Sequence, residues 1–119
     1  MQLEFYSTGQ LNADINMLDA DERTKVQQQI NNVSQSLLNG KTAFHENASI
    51  PYLFNLKDGM ETSFFLIKTG TDTRMVAAID EAPIFDKISL TLFRAVDKEN
   101  ANEAYRMIGE STYKQAGLL

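Results

Sequence analysis

The sequence predicts an α+β domain: a helical hairpin first, then a meander of about four antiparallel strands, then a closing helix. Three observations carry this reading. Apolar residues recur at helical spacing as far as Leu37 and again after Asn100. Between them lie short apolar runs bounded by turn residues. The gaps between those runs are too short for parallel crossovers, which take a dozen residues or more. Helices on either side of a run of strands suit an antiparallel sheet with the helices packed on one face. The chain has 119 residues, a length that fits one domain. No repeat, low-complexity tract or linker divides 1–119.

Leu3 and Phe5 alternate with polar residues and read as an edge strand. Ser7 and Thr8 are candidate N-caps for a short helix, in which Leu11, Ile15 and Leu18 share one face. Asp19 opens a second helix, with Glu22 placed to reach back in a capping box. There Val26, Ile30, Val33 and Leu37 make the apolar face, and Gly40 is suited to end the helix. Residues 41–51 read as a loop. Residues 52–57 read as an aromatic strand stopped by Asp58-Gly59, a strong turn signal. Further strands are expected over residues 62–68, 74–80 and 87–94, the last alternating Ile88, Leu90 and Leu92 with Ser89 and Thr91. Asn100 with Glu103 resembles another capping box. Ala101, Ala104, Tyr105, Ile108 and Thr112 line one face of the final helix, which Gly117 ends.

Composition narrows the function. With no cysteine, the chain has no disulfide, thiolate nucleophile or Cys-bearing zinc site. The first residues lack a signal-peptide pattern, and no apolar run approaches the ~18 residues of a membrane span. A cytoplasmic protein without membrane attachment is expected. The net charge is −5, which opposes broad attraction to nucleic acid. One histidine, His45, makes a poor metal site by itself, though it suits general-base chemistry. The carboxylates Asp19, Asp21 and Glu22 are explained by helix capping, and Asp80 with Glu81 by a strand-end turn. No cofactor or metal is expected. The aromatic residues Tyr52, Phe54, Phe64 and Phe65 suit base stacking, but core packing explains them more simply. Lys57, Lys68, Arg74, Lys87 and Arg94 fall on or beside strands, where several could converge on one exposed sheet face to hold a phosphodiester. Charged strand edges explain them better, because acidic residues slightly outnumber basic ones over the same stretch.

Across residues 10–110 the pattern resembles the RelE/ParE/HigB superfamily of bacterial toxin–antitoxin toxins. The resemblance runs through the helical hairpin, the Leu56-Lys57-Asp58-Gly59 turn and Phe64-Phe65-Leu66-Ile67-Lys68. It continues in the strand from Thr73 to Asp80, in Ile88-Ser89-Leu90-Thr91-Leu92-Phe93-Arg94, and in Ala104-Tyr105. It implies two helices packed on a twisted antiparallel sheet and an antitoxin partner that wraps the toxin. In the nuclease branches it implies metal-independent, ribosome-dependent cleavage of mRNA by 2′-hydroxyl attack on the adjacent phosphate. Carried over, Arg74, Arg94 and Tyr105 become candidate catalytic residues, and Lys57 and Lys68 candidate phosphate-binding lysines. The nuclease reading expects Arg74 and Arg94 on one exposed face. The chain also departs from the pattern. It is acidic, Ala95 and Val96 follow Arg94 where a second basic residue is expected, and Phe64-Phe65 stand where an arginine is often found. Those departures favour the alternative, a non-catalytic binding module of the same fold. A homodimer binding a small ligand is a third, generic reading.

Overall fold

The structure, a computed structural model, describes residues 2–39 and 42–119. The expected helix stop at Gly40 lies outside them. In chain order the elements are β1 (Gln2–Ser7), α1 (Gly9–Asn16), α2 (Ala20–Asn39), α3 (Thr42–Glu46) and β2 (Ala48–Ser49), then β3 (Phe64–Lys68), β4 (Thr73–Ala82), β5 (Lys87–Asp97) and α4 (Ala101–Gln115). Short 3-10 turns occupy Lys57–Gly59 and Pro83–Phe85. Among the described residues no helix is long and apolar enough to cross a membrane.

The hairpin begins where the sequence places it. Thr8 is extended, and its hydroxyl accepts from the Leu11 N–H at 3.2 Å. That satisfies one of the donors a helix N-terminus leaves without a partner. The end of α1 is closed by an unexpected group. The Arg23 guanidinium, from α2, donates to the carbonyls of Ile15, Asn16 and Leu18 at 3.0–3.3 Å. A cation on these orphan carbonyls also complements the negative end of the helix. Asp19 caps α2 by accepting from the Glu22 N–H at 2.8 Å.

The Glu22 side chain does not reach back to Asp19. It spans to the turn between β3 and β4, where it accepts from Thr71 N–H (3.1 Å), Asp72 N–H (2.9 Å) and the Thr73 hydroxyl (2.6 Å). The Thr73 bond, opposed by partial burial and helped by the two amides, holds the Glu22 carboxyl below its usual pKa. Glu22→Ala strips three acceptors from this turn. It should lower stability by about 1–2 kcal/mol and speed hydrogen exchange at Thr71 and Asp72. Unchanged exchange at both amides would refute the clamp.

The sheet has five strands in the order β1-β5-β4-β3-β2, rather than about four. The meander β3-β4-β5 is antiparallel as expected, but β1 lies parallel to β5, so the sheet is mixed. The chain between β1 and β5 supplies the long crossover a parallel pair needs. Residues 52–57, read as a strand, make no ladder. The neighbouring place beside β3 is taken by Ala48 and Ser49, in the segment expected to be a loop. The aromatic alternation at Tyr52 and Phe54 reports burial against α4 instead: their rings contact each other at 4.9 Å, and Phe54 meets Tyr105 and Tyr113 at 5.8 and 5.3 Å. The Asp58-Gly59 turn forms, both residues having positive φ, without joining two strands.

Helices cover both faces of the sheet, not one. Residues alternate across a strand, and the two sets fill separate cores. One holds Val26, Val33, Leu37, Ile67, Met75, Ile88 and Leu90 beneath α1 and α2. The other holds Phe64, Leu66, Val76, Ala78, Tyr105 and Tyr113 beneath α4. A bulge in β5 shifts the register between Val76 and Ala77, leaving Phe93 as the extra residue. Ile88, Leu90 and Leu92 before it and Ala95 after it therefore reach the same core, while Phe93 packs in the other. On α4, a Cβ at Gly109 would collide with Phe54 Cζ, so the missing side chain lets the ring lie on the helix backbone. Gly117, with φ +73°, ends α4 in the left-handed conformation, and Leu118 N–H closes the motif on Tyr113 O at 2.9 Å. Asn100 precedes α4 but makes no side-chain cap bond, so that capping box does not form.

Candidate functional site

The structure brings two of the five candidate residues together and separates the rest. Lys68 ends β3 directly opposite Arg74 at the start of β4. Both line a groove of about 320 Å³ between the end of the sheet and the start of α4, together with Lys98, Glu46 and Asn102. Arg74 is half-buried, and its Nη1 donates to the carbonyls of Gly70 (3.3 Å) and Thr73 (3.0 Å). These bonds fix the guanidinium and leave its other donors for a ligand. Lys68 is exposed. Lys98 Nζ lies 3.1 Å from the Asp72 carboxylate. The groove thus presents three cations and one acid, Glu46, while Asp72 holds Lys98 from outside its lining. It can take one compact anion, such as a phosphate or a carboxylate.

Arg94 lies in a different groove, with Met17, Leu18 and Asn100. Its Nε donates to Asp14 Oδ2 at 2.7 Å and its Nη2 to Asp14 Oδ1 at 3.1 Å, a two-pronged pair. Asp14 also accepts from the Ala95 N–H at 3.0 Å. The reason is topological. β1 pairs with β5 only as far as Leu92, and α1 then covers the exposed edge of β5: Thr8 N–H donates to Leu92 O, the Thr8 hydroxyl to Phe93 O, and Asp14 receives Ala95 N–H. Burial pushes the Asp14 carboxyl up, but Arg94, Ala95 and Gln10 together bring it below its usual pKa. The same ion pair raises that of Arg94.

Lys57 begins the 3-10 turn beyond the far end of α4, where its N–H donates to Leu118 O at 2.8 Å. The 15 residues of α4 put that end about 22 Å from the Lys68–Arg74 groove. Tyr105 is fully buried, and its hydroxyl donates to Phe64 O at 2.8 Å. Burial pushes its phenol pKa up. His45 is exposed on α3, with its ring edge-on to Phe44. Tyr52, Phe54 and Phe64 pack in the α4 core and Phe65 against the other, so they present no stacking platform. Among the described residues no three His, Asp or Glu side chains are grouped to hold a metal ion.

Sequence reasoning missed Asp14 and Lys98. Asp14 sits among the polar residues of α1, and only the position of α1 across the end of β5 gives it a role. Lys98 lies between a strand and a helix whose relative placement the sequence does not reveal. No protein-family model, curated protein or solved structure matches the chain.

Proposed function

We propose that this chain is the toxin-like component of a toxin–antitoxin pair and that it acts by binding a protein rather than by cutting RNA. The dispersal of the five candidate residues carries the choice. In-line attack on a phosphodiester needs its charge-stabilising groups within hydrogen-bond reach of one phosphorus centre. Arg94 is committed to Asp14, the Tyr105 hydroxyl is sealed beneath β3, and Lys57 stands at the other end of α4. The net charge of −5 points the same way. The toxin-like part rests on the resemblance, and a helix pair on a sheet with a closing helix agrees with it. An antitoxin is the implied partner and the cytoplasm the implied compartment.

One observation favours a second reading, a ribosome-dependent endoribonuclease. Lys68, Arg74 and Lys98 share one groove in which a backbone phosphate fits. Induced expression in a bacterial host, following growth and total translation, separates the two readings. Under the binding reading, cells making the Arg74→Ala protein arrest as the parent does, and ribosome-bound mRNA stays intact. Under the nuclease reading, loss of a charge-assisted contact worth about 1.5–3 kcal/mol slows cleavage more than tenfold. Arrest relieved by Arg74→Ala, with parental cleavage of ribosome-bound mRNA, would overturn the proposal. Normal growth with both proteins would remove its toxin-like part.

A further inference from the structure

β1 is an end strand of the sheet, and among the described residues nothing pairs with its outer side. Two hydrogen bonds bracket the strand. Gln2 N–H donates to Asp86 O at 2.8 Å, and Thr8 N–H to Leu92 O at 3.2 Å. Backbone groups along a strand alternate in direction with period two. Even-numbered residues therefore turn their N–H and C=O toward β5. Leu3, Phe5 and Ser7 turn theirs outward, a run of donors and acceptors centred on Phe5.

Edge strands are usually protected by a proline, a bulge, a free charge or very short length. β1 reads Gln-Leu-Glu-Phe-Tyr-Ser over six residues and has no such device. Its one charge, Glu4, is paired with Lys87 at 2.9 Å. Phe5 and Tyr6 are 48% and 52% exposed.

We propose that β1 pairs with β1 of a second copy of this chain, antiparallel about a two-fold axis at Phe5, joining two sheets edge to edge. The register follows from direction and charge. Outward-facing groups must meet outward-facing groups, so odd-numbered residues pair with odd-numbered ones. Centring on Phe5 sets Phe5 against Phe5 and Leu3 against Ser7, and every outward N–H and C=O finds a partner. Centring on Glu4 sets like charges directly opposite each other. Centring on Tyr6 leaves Leu3 unpaired. The Phe5 register also places Glu4 opposite Tyr6 of the second copy. Within one strand these two side chains already bond, the Tyr6 hydroxyl donating to Glu4 at 2.6 Å. In this register the one charge meets a hydroxyl instead of its own copy and the exposed Phe5 rings meet each other, so the strand suits a second copy of itself, in the closed two-fold contact common in homodimers.

Sedimentation equilibrium over a concentration series tests this, combined with hydrogen exchange of the unmodified protein. The average mass should rise from 13.4 kDa toward twice that value. Amides of Leu3, Phe5 and Ser7 should become protected as it rises, while those of Glu4 and Tyr6 are protected at every concentration. Phe5→Lys sets two cations against each other at the axis and should raise the dissociation constant more than roughly tenfold. If that variant does not fold, the exchange pattern of the unmodified protein decides. A chain that stays monomeric, leaving the edge to some other extended segment, overturns the proposal. So does a dimer in which the three odd-numbered amides exchange freely.

Discussion

Tyr105→Ala is expected to remove about 3–5 kcal/mol of stability, a large part of the 5–15 kcal/mol that folded domains typically hold. The ring is fully buried under β3, between Phe54 and the sheet. Truncation leaves a cavity that the surrounding rings cannot refill without moving, and it takes the hydroxyl away from Phe64 O. Tyr105→Phe keeps the ring and loses only that bond, so its cost should fall to about 1 kcal/mol. Urea denaturation of both variants measures the difference. The pair also tests the role suggested by the family resemblance. A phenol that touches substrate loses its chemistry on conversion to Phe, whereas a core tyrosine loses only stability. If Tyr105→Phe kept full stability but abolished growth arrest, Tyr105 would return to the active site and the present packing would not be the working state.

Asp14→Asn and Asp14→Ala form the second test. Asp14 satisfies both the Arg94 guanidinium and the Ala95 N–H at an edge of β5 that β1 does not reach. Breaking a buried ion pair costs about 3–5 kcal/mol. The Arg94 side chain is 39% exposed and can regain water, so about 2–3 kcal/mol is expected for Asp14→Ala. The sign of the pH dependence follows from the lowered folded pKa. The unfolded chain takes up the Asp14 proton near pH 4, above the pH at which the folded chain does. The stabilisation is therefore complete above that value and is lost as pH falls through the folded pKa. Glu22 and Glu4 are also held low, so acid weakens the parent in several places. The difference between the parent and Asp14→Asn isolates this one: wide at neutral pH and narrowing below about pH 4. A gap independent of pH would show that the carboxylate charge is not what holds the edge.

Local chemistry was legible in the sequence where a residue acts on its own element. Thr8 and Asp19 cap the helices their positions predict, Leu11 and Val26 face the core, and Gly117 ends the last helix. Legibility failed where the partner is distant. The spacing of Glu22 fits a capping box, yet its carboxylate serves a turn about fifty residues away, because three donors converge there. Tyr52 and Phe54 alternate as strand residues do, since alternation reports one buried face and cannot say whether a sheet or a helix buries it. The candidate site suffered most. Lys68 and Arg74 meet because a short hairpin puts them opposite each other, a pairing readable from the turn between them. Arg94 was expected beside Arg74 by the nuclease reading alone, and Asp14, on a helix laid across the end of β5, takes its guanidinium instead.

The parallel pairing of β1 with β5 has a consequence for how the chain comes into being. Synthesis is vectorial, and the first residues leave the ribosome seconds before the last. Gln2 must wait for Lys87 and Ser7 for Leu92, while α1 and α2 emerge with Leu11, Val26, Val33 and Leu37 uncovered. Local helices form quickly, but contacts between distant segments carry the loop-closure cost and set the pace. The first strand made is the last one paired. Exposure of the core beneath α1 and α2 therefore ends with the arrival of residues 87–92, and that of the core beneath α4 only when α4 itself follows.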